Sequence, residues 1–192
     1  MMHFDYPRIT QEDMLANRTN ESSKPIIGIT FEWRSEVNEQ GETSYYFYLP
    51  RFHDYANAII RHGGIPYVIR YEDDIQEVAS IIDGILLTGG ADIHPMFYDQ
   101  EINGAVVFPD NDRFLYDRSL MKAVSHKLPA LGICWGMQFL NVISGGDLIQ
   151  DIATKDKHFR KPVNLKSEPD SWFYRTFGEK KTCFCVHHQA IS

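Results

Sequence analysis

Basic residues are the minority charge in this 192-residue chain, with 19 Lys and Arg against 26 Asp and Glu and a formal net charge of −7. An acidic surface repels phosphate backbones and anionic headgroups, which excludes nucleic acid and membrane surfaces as general partners and favours a small molecule. Long hydrophobic runs are lacking too: no apolar stretch approaches the ~20 residues that span a bilayer. Residues 1–23 carry acids and polar groups where a secretory signal would be apolar, so the expected compartment is the cytoplasm. Cysteine is scarce, with 3 in all. An odd, dispersed set is a poor disulfide framework and leaves at least one free thiol. Internal repeats, low-complexity tracts and linkers are absent as well, which argues against a division into several domains.

What is present is enough apolar residue, 43%, to bury one substantial core. Residues 1–23, rich in Asn, Thr, Ser and Glu, read as a mobile N-terminal extension, and residues 24–192 as one domain. Within that domain short apolar runs recur at Ile26–Thr30, Ile65–Ile69, Gly84–Thr88 and Ala130–Cys134, and they read as strands buried on both faces. Between them Phe52, Tyr55, Ala56, Ile59 and Ile60 share a helical face, as do Ile75, Val78, Ala79 and Ile82, and a third helix is expected over Leu115–Val124. Strands alternating with helices predict an α/β fold with a mostly parallel sheet covered on both sides. The charged stretch from Lys155 to Lys181 reads as surface loops, and a last strand is expected over Thr182–Val186.

In open α/β sheets ligands sit beyond the carboxyl ends of the strands. The third and fourth strands deliver Thr88-Gly-Gly-Ala-Asp92 and Cys134-Trp-Gly-Met-Gln138 to that edge. Leu131-Gly-Ile-Cys-Trp-Gly-Met-Gln138 has the form of a nucleophile elbow, with Gly132 and Gly136 two residues either side of Cys134 so that backbone and helix can approach closely. The helix N-terminus is expected to favour the thiolate, the attacking species. The Gly89-Gly90 loop and the N–H of Trp135 would receive a developing oxyanion.

The segment from Leu131 to Ile152 resembles the nucleophile region of class I glutamine amidotransferase-like proteins, in particular the γ-glutamyl-γ-aminobutyrate hydrolase type. Gly89–Tyr98, Asp110–Leu120 and His187–Ile191 agree with the same pattern in order. The resemblance implies a flavodoxin-like three-layer sandwich and hydrolysis of a γ-glutamyl amide on a small molecule, with neither metal nor cofactor. It makes Cys134 the nucleophile, Gly90 and Trp135 the oxyanion hole, and Gly89, Gln138, His187 and His188 substrate-binding residues. Competing with that role, Gln138 reads from position alone as a solvated helix residue.

Several positions depart from the pattern. Trp135 stands where Arg is usual, Phe114 where Asp is usual, and Phe184-Cys185 where Asn-Ser is usual; Trp135 leaves an oxyanion hole built from its backbone N–H intact, whereas the other exchanges, near a pocket, would alter substrate choice. The resemblance also implies a further strand ending in a His-Pro-Glu element, whose His activates the cysteine, and these 192 residues do not include it. The expectation is therefore a domain incomplete at its C-terminus, with an open sheet edge that invites self-association, for instance as a homodimer. His187 or His188 acting as the base is the alternative supply of that chemistry. Three competing functions follow: a catalytically inactive remnant or binding module of the same fold, a glutaminase subunit passing ammonia to a synthase, and a metal site built from Cys183, Cys185, His187 and His188.

Overall fold

Isoleucines three apart set the centre of the molecule. In the computed structural model, which describes residues 24–37, 39–41, 43–47, 52–103, 111–124, 128–152 and 160–192, Ile26 and Ile29 lie on strand β1 (Ile26–Thr30) and bury on opposite faces. β1 pairs in parallel with β4 (Ile65–Val68) on one side and with β5 (Gly84–Leu87) on the other, and β5 pairs in parallel with β6 (Ala130–Gly132). The sheet order is β4-β1-β5-β6. The chain thus leaves β1 in one direction to reach β4 and returns past it to β5, which makes the β1–β5 boundary a switch point.

Helix α1 (Phe52–Arg61) covers one face, placing Tyr55 and Ile59 against Ile29, Phe31 and Leu86. Helices α2 (Ile75–Ile81), α3 (Asn111–Val124) and α4 (Trp135–Ile143) cover the other with Val78, Leu120, Phe139 and Val142. Each of these buried side chains contributes ~1.5–3 kcal/mol of transfer free energy, so the apolar stripes rather than helix propensity decide where the helices sit. Asp74 caps α2 by accepting from the N–H groups of Gln76 and Glu77 at 2.9 and 3.0 Å. The result is the three-layer, flavodoxin-like arrangement. Among the described residues no helix is long and apolar enough to cross a membrane.

Three antiparallel pairs decorate this sheet: β2 (Trp33–Val37) with β3 (Thr43–Phe47), β7 (Leu148–Ile149) with β10 (Ala190–Ile191), and β8 (Lys161–Lys166) with β9 (Lys180–Cys185). A short helix, α5 (Trp172–Phe177), joins the last pair. Two expectations change here. The charged stretch is a hairpin where residues 160–181 are described, because Val163 and Leu165 alternate with polar neighbours at the strand period and pair with Cys183 and Lys181. The four apolar runs are also not all buried. β1 and β5 are central, whereas β4 and β6 lie at the edges, so that Leu131 is 61% exposed. The extension over residues 1–23 lies outside the described residues.

Candidate active site

β6 delivers the chain into a turn at Cys134, whose φ of 54° and ψ of −108° suit glycine and strain any other residue by about 1–3 kcal/mol. The surroundings hold it there. Ile133 N donates to Leu87 O at 2.9 Å, tying the turn to β5, and the N–H groups of Met137 and Gln138 donate to Cys134 O at 3.0 and 3.1 Å, opening α4. A Cβ on Gly132 would run into the backbone of Gly136, and one on Gly136 into the carbonyl of Leu87. The two glycines therefore permit the close crossing that leaves Cys134 exposed at the carboxyl edge of the sheet.

The loop after β5 comes up beside it. A Cβ at Gly89 would lie 3.7 Å from Cys134 Cβ and 3.9 Å from the hydroxyl of Tyr55, so α1 on the opposite layer also reaches this loop. The backbone N–H of Trp135 is directed at the Cys134 sulfur, where an oxyanion would form next to the attacked carbon. Beneath the loop lies the fully buried Arg113, whose Nη1 donates to Gly89 O at 2.9 Å and whose Nη2 donates to Thr88 O at 3.0 Å.

The thiol is not tuned as the helix N-terminus alone predicts. Desolvation pushes the Cys134 pKa up from an ordinary thiol's 9.0, ahead of the lowering by the Trp135 N–H and by Arg113, while Asp92 raises it further. The residue has an open side, yet enough protein surrounds the sulfur for burial to dominate. Because the thiolate is the nucleophile and a raised pKa reduces its fraction at neutral pH, alkylation of Cys134 by iodoacetamide is expected to be slow at pH 7. It should climb with a midpoint above 9.0. A mass-resolved rate profile from pH 6 to 11 checks this, and a midpoint below 8 would contradict it.

The segment after β9 closes the site from the other side. Gln138 is buried rather than solvated, and its Nε2 donates to Gln189 O at 3.0 Å. Gln189 Oε1 in turn accepts from Ile93 N at 3.3 Å. His188 lies between two carboxylates, with Nε2 3.0 Å from Asp92 and Nδ1 3.3 Å from Asp151. Both ring nitrogens are thereby engaged with carboxylates, and the ring joins the loops after β5 and β7. His187 Nδ1 lies 2.9 Å from Gln189 O.

The exchanges at 114 and 135 have a structural account that differs from a change in the pocket. Both side chains are buried in the core. Trp135 stacks on Phe139 at 5.0 Å, Phe139 meets Phe114 edge-on at 5.2 Å, and Phe114 stacks on Phe97 at 3.8 Å. The two departures are partners in one aromatic ladder beneath the site. Tyr55, Asp151 and the role of Arg113 are what the sequence reading missed. Tyr55 is on the apolar face of α1 and carries no mark beyond its hydroxyl; Asp151 follows β7 by two residues, as Asp92 stands five beyond β5, a shared placement that was the available signal. Among the described residues no group of three or more His, Cys, Asp or Glu is arranged to hold a metal. A cleft of ≈460 Å³ lined by Tyr71, Ile75, Leu115, Tyr116 and Ser119 opens between α2 and α3, and Cys134 is not part of its lining.

Comparisons with known proteins bear on the family and the fold. A family model described as peptidase C26 matches residues 25–192. A glutamine amidotransferase-like protein of Rickettsia prowazekii is 39% identical over 141 residues, covering 72% of this chain and 50% of that protein. The γ-glutamyl-γ-aminobutyrate hydrolase of Escherichia coli K12 is 31% identical over 100 residues, covering 49% of this chain and 39% of the enzyme. The crystal structure of a glutamine amidotransferase from Thermotoga maritima superposes with a TM-score of 0.55 at 16% identity, covering 88% of this chain and 62% of that one, and it supports the fold. The chain spans about half the length of the Rickettsia relative.

Proposed function

Because the chain belongs to the peptidase C26 family, we propose that it contributes the nucleophilic centre for hydrolysing a γ-glutamyl amide of a small molecule. Cys134 Sγ attacks the side-chain carbonyl carbon, and the carbonyl oxygen becomes an oxyanion received by the N–H groups of Gly90 and Trp135. Collapse expels the amine, which leaves carrying the proton given up by the thiol, and a γ-glutamyl thioester remains on Cys134. Water then adds to the thioester and releases glutamate and the free thiol. Gln138, His187 and His188 would shape the γ-glutamyl pocket, with Gly89 against the substrate. The observation that carries the reading is the strained conformation of Cys134, held beside the Gly89-Gly90 loop and under the Trp135 N–H. Strain of this kind persists only where the surroundings enforce it, and at a strand-to-helix turn it lifts a nucleophile clear of the sheet.

An electrophilic glutamine analogue is expected to add once to each chain, at Cys134, and prior alkylation of that thiol should block it. Intact-mass and peptide mapping read the result. If iodoacetamide modifies Cys134 but the analogue does not, the second reading takes over, a binding module that retains the fold without the chemistry. That alternative draws on two observations: the raised pKa of the thiol and the commitment of His188 to Asp92 and Asp151.

A further inference from the structure

One side chain touches every part from which the oxyanion hole would be built. Arg113 is 0% exposed, and its Nη1 donates to Gly89 O at 2.9 Å. Its Nη2 donates to Thr88 O at 3.0 Å and meets Thr88 Oγ1 at 3.3 Å. Its Nε faces Asp117 Oδ2 at 3.4 Å, and that oxygen also accepts from Thr30 Oγ1 at 2.9 Å. Above it, the guanidinium carbon stands 3.9 Å from the centre of the Trp135 ring. The end of β1, the end of β5 and the residue after the nucleophile are thus fastened to a single planar group, whose fork and face are both used.

The direction of these bonds matters. In a trans peptide the C=O and the following N–H point opposite ways. By drawing Gly89 O down toward the buried guanidinium, Arg113 turns the N–H of Gly90 the opposite way, away from the core, in a loop that stands beside Cys134. Gly90 itself has no room for a Cβ because Arg113 Nη1 occupies that space. Resting on the reading of Cys134 as an acyl-accepting nucleophile, we infer that Arg113 is a positioning residue for the oxyanion hole. It aims the Gly90 N–H through its carbonyl contacts and spaces it from the Trp135 N–H through the ring it stacks on.

The test separates acylation, which builds an oxyanion, from alkylation, which does not. p-Nitrophenyl acetate transfers its acetyl group to Cys134, forming a thioester and releasing nitrophenolate, whereas iodoacetamide alkylates the same sulfur and releases iodide. Arg113→Met alone would strand Asp117 in the core, so the variants are Arg113→Lys, which keeps the charge, and the neutral pair Arg113→Met/Asp117→Asn, in which Asn can still accept from Thr30. Rates are compared at the high-pH plateau of each profile, removing the influence of Arg113 on the thiol pKa. In folded variants the acylation plateau is expected to fall about 10- to 100-fold, a part of what outright removal of an oxyanion donor costs, with alkylation within about twofold of the parent. An unchanged ratio of acylation to alkylation in a folded variant overturns the inference. Because the ester carries no γ-glutamyl group, normal ester acylation with no reaction toward the glutamine analogue would sink the substrate reading and leave the role of Arg113 standing.

Discussion

Replacing Gly136 with alanine is expected to lower stability by ~3 kcal/mol or more, although alanine is the better helix former by ~1 kcal/mol. Gly136 is in the first turn of α4, and an added Cβ would run into the carbonyl and the Cβ of Leu87 on the buried strand β5. Neither backbone can retreat cheaply. Leu87 O already accepts from Ile133 N at 2.9 Å, and Leu87 is locked between β1 and β6. The melting temperature should therefore drop by ~6–12 °C for a domain of this size, read by calorimetry or circular dichroism. A neutral or stabilised Gly136→Ala protein would mean that α4 does not cross β5 this closely, and the elbow geometry would have to be abandoned.

The second large effect is a trade of activity against stability at one atom's distance. Cys134→Gly removes the nucleophile and also the strain of a side chain at φ 54°, ψ −108°. Relief of strain, less the extra backbone entropy of glycine in the unfolded chain, should leave the variant ~1 kcal/mol more stable, or ~2–4 °C higher in melting temperature. Release of glutamate from a γ-glutamyl amide should meanwhile fall by a factor of about 10⁴ or more, as it does when a covalent nucleophile is lost. Cys134→Ser is the control, since it keeps a side chain in the strained position. Glutamate release within tenfold of the parent by Cys134→Gly would remove the thioester from the mechanism; a loss of stability would show that the turn is not strained.

What could be read before the fold was known follows from where periodicity is strong. Ile26–Thr30 is a strand in both views because its isoleucines serve two faces at once, and the helix stripes of Tyr55 and Ile59 and of Val78 and Ile82 place α1 and α2 within a residue or two. The last strand, expected over Thr182–Val186, is β9, but its partner β8 was hidden because lysines flank it and the alternation of Val163 and Leu165 spans only a few residues. At the site, Cys134 and its glycines were legible since a close backbone crossing allows few residue types. The thiol pKa was not, because it turns on how much protein surrounds one sulfur, a quantity that depends on Gly89, Trp135 and Asp92 meeting in space. Phe114 and Trp135 show the same limit. Phe114 alone reads as a changed pocket and Trp135 alone as a harmless exchange, and only the ladder through Phe139 shows one answering the other.

The bridge from Asp92 to His188 carries a consequence for the order of events in folding. It joins residues 96 apart in the chain, and Gln189 reaches back over the same span to Ile93. The contacts of β1 with β4 and β5, by contrast, close shorter segments and lie within the hydrophobic core. Closure over so long a span recovers its entropy only when much of the intervening structure is in place. The sheet is therefore expected to assemble first and the rim of the site last, with the rim opening at a lower free energy than the core. Amides of residues 187–191 should then exchange with solvent while those of β1 and β5 are still protected, so that a population of molecules with a formed sheet and an open rim accompanies the native state.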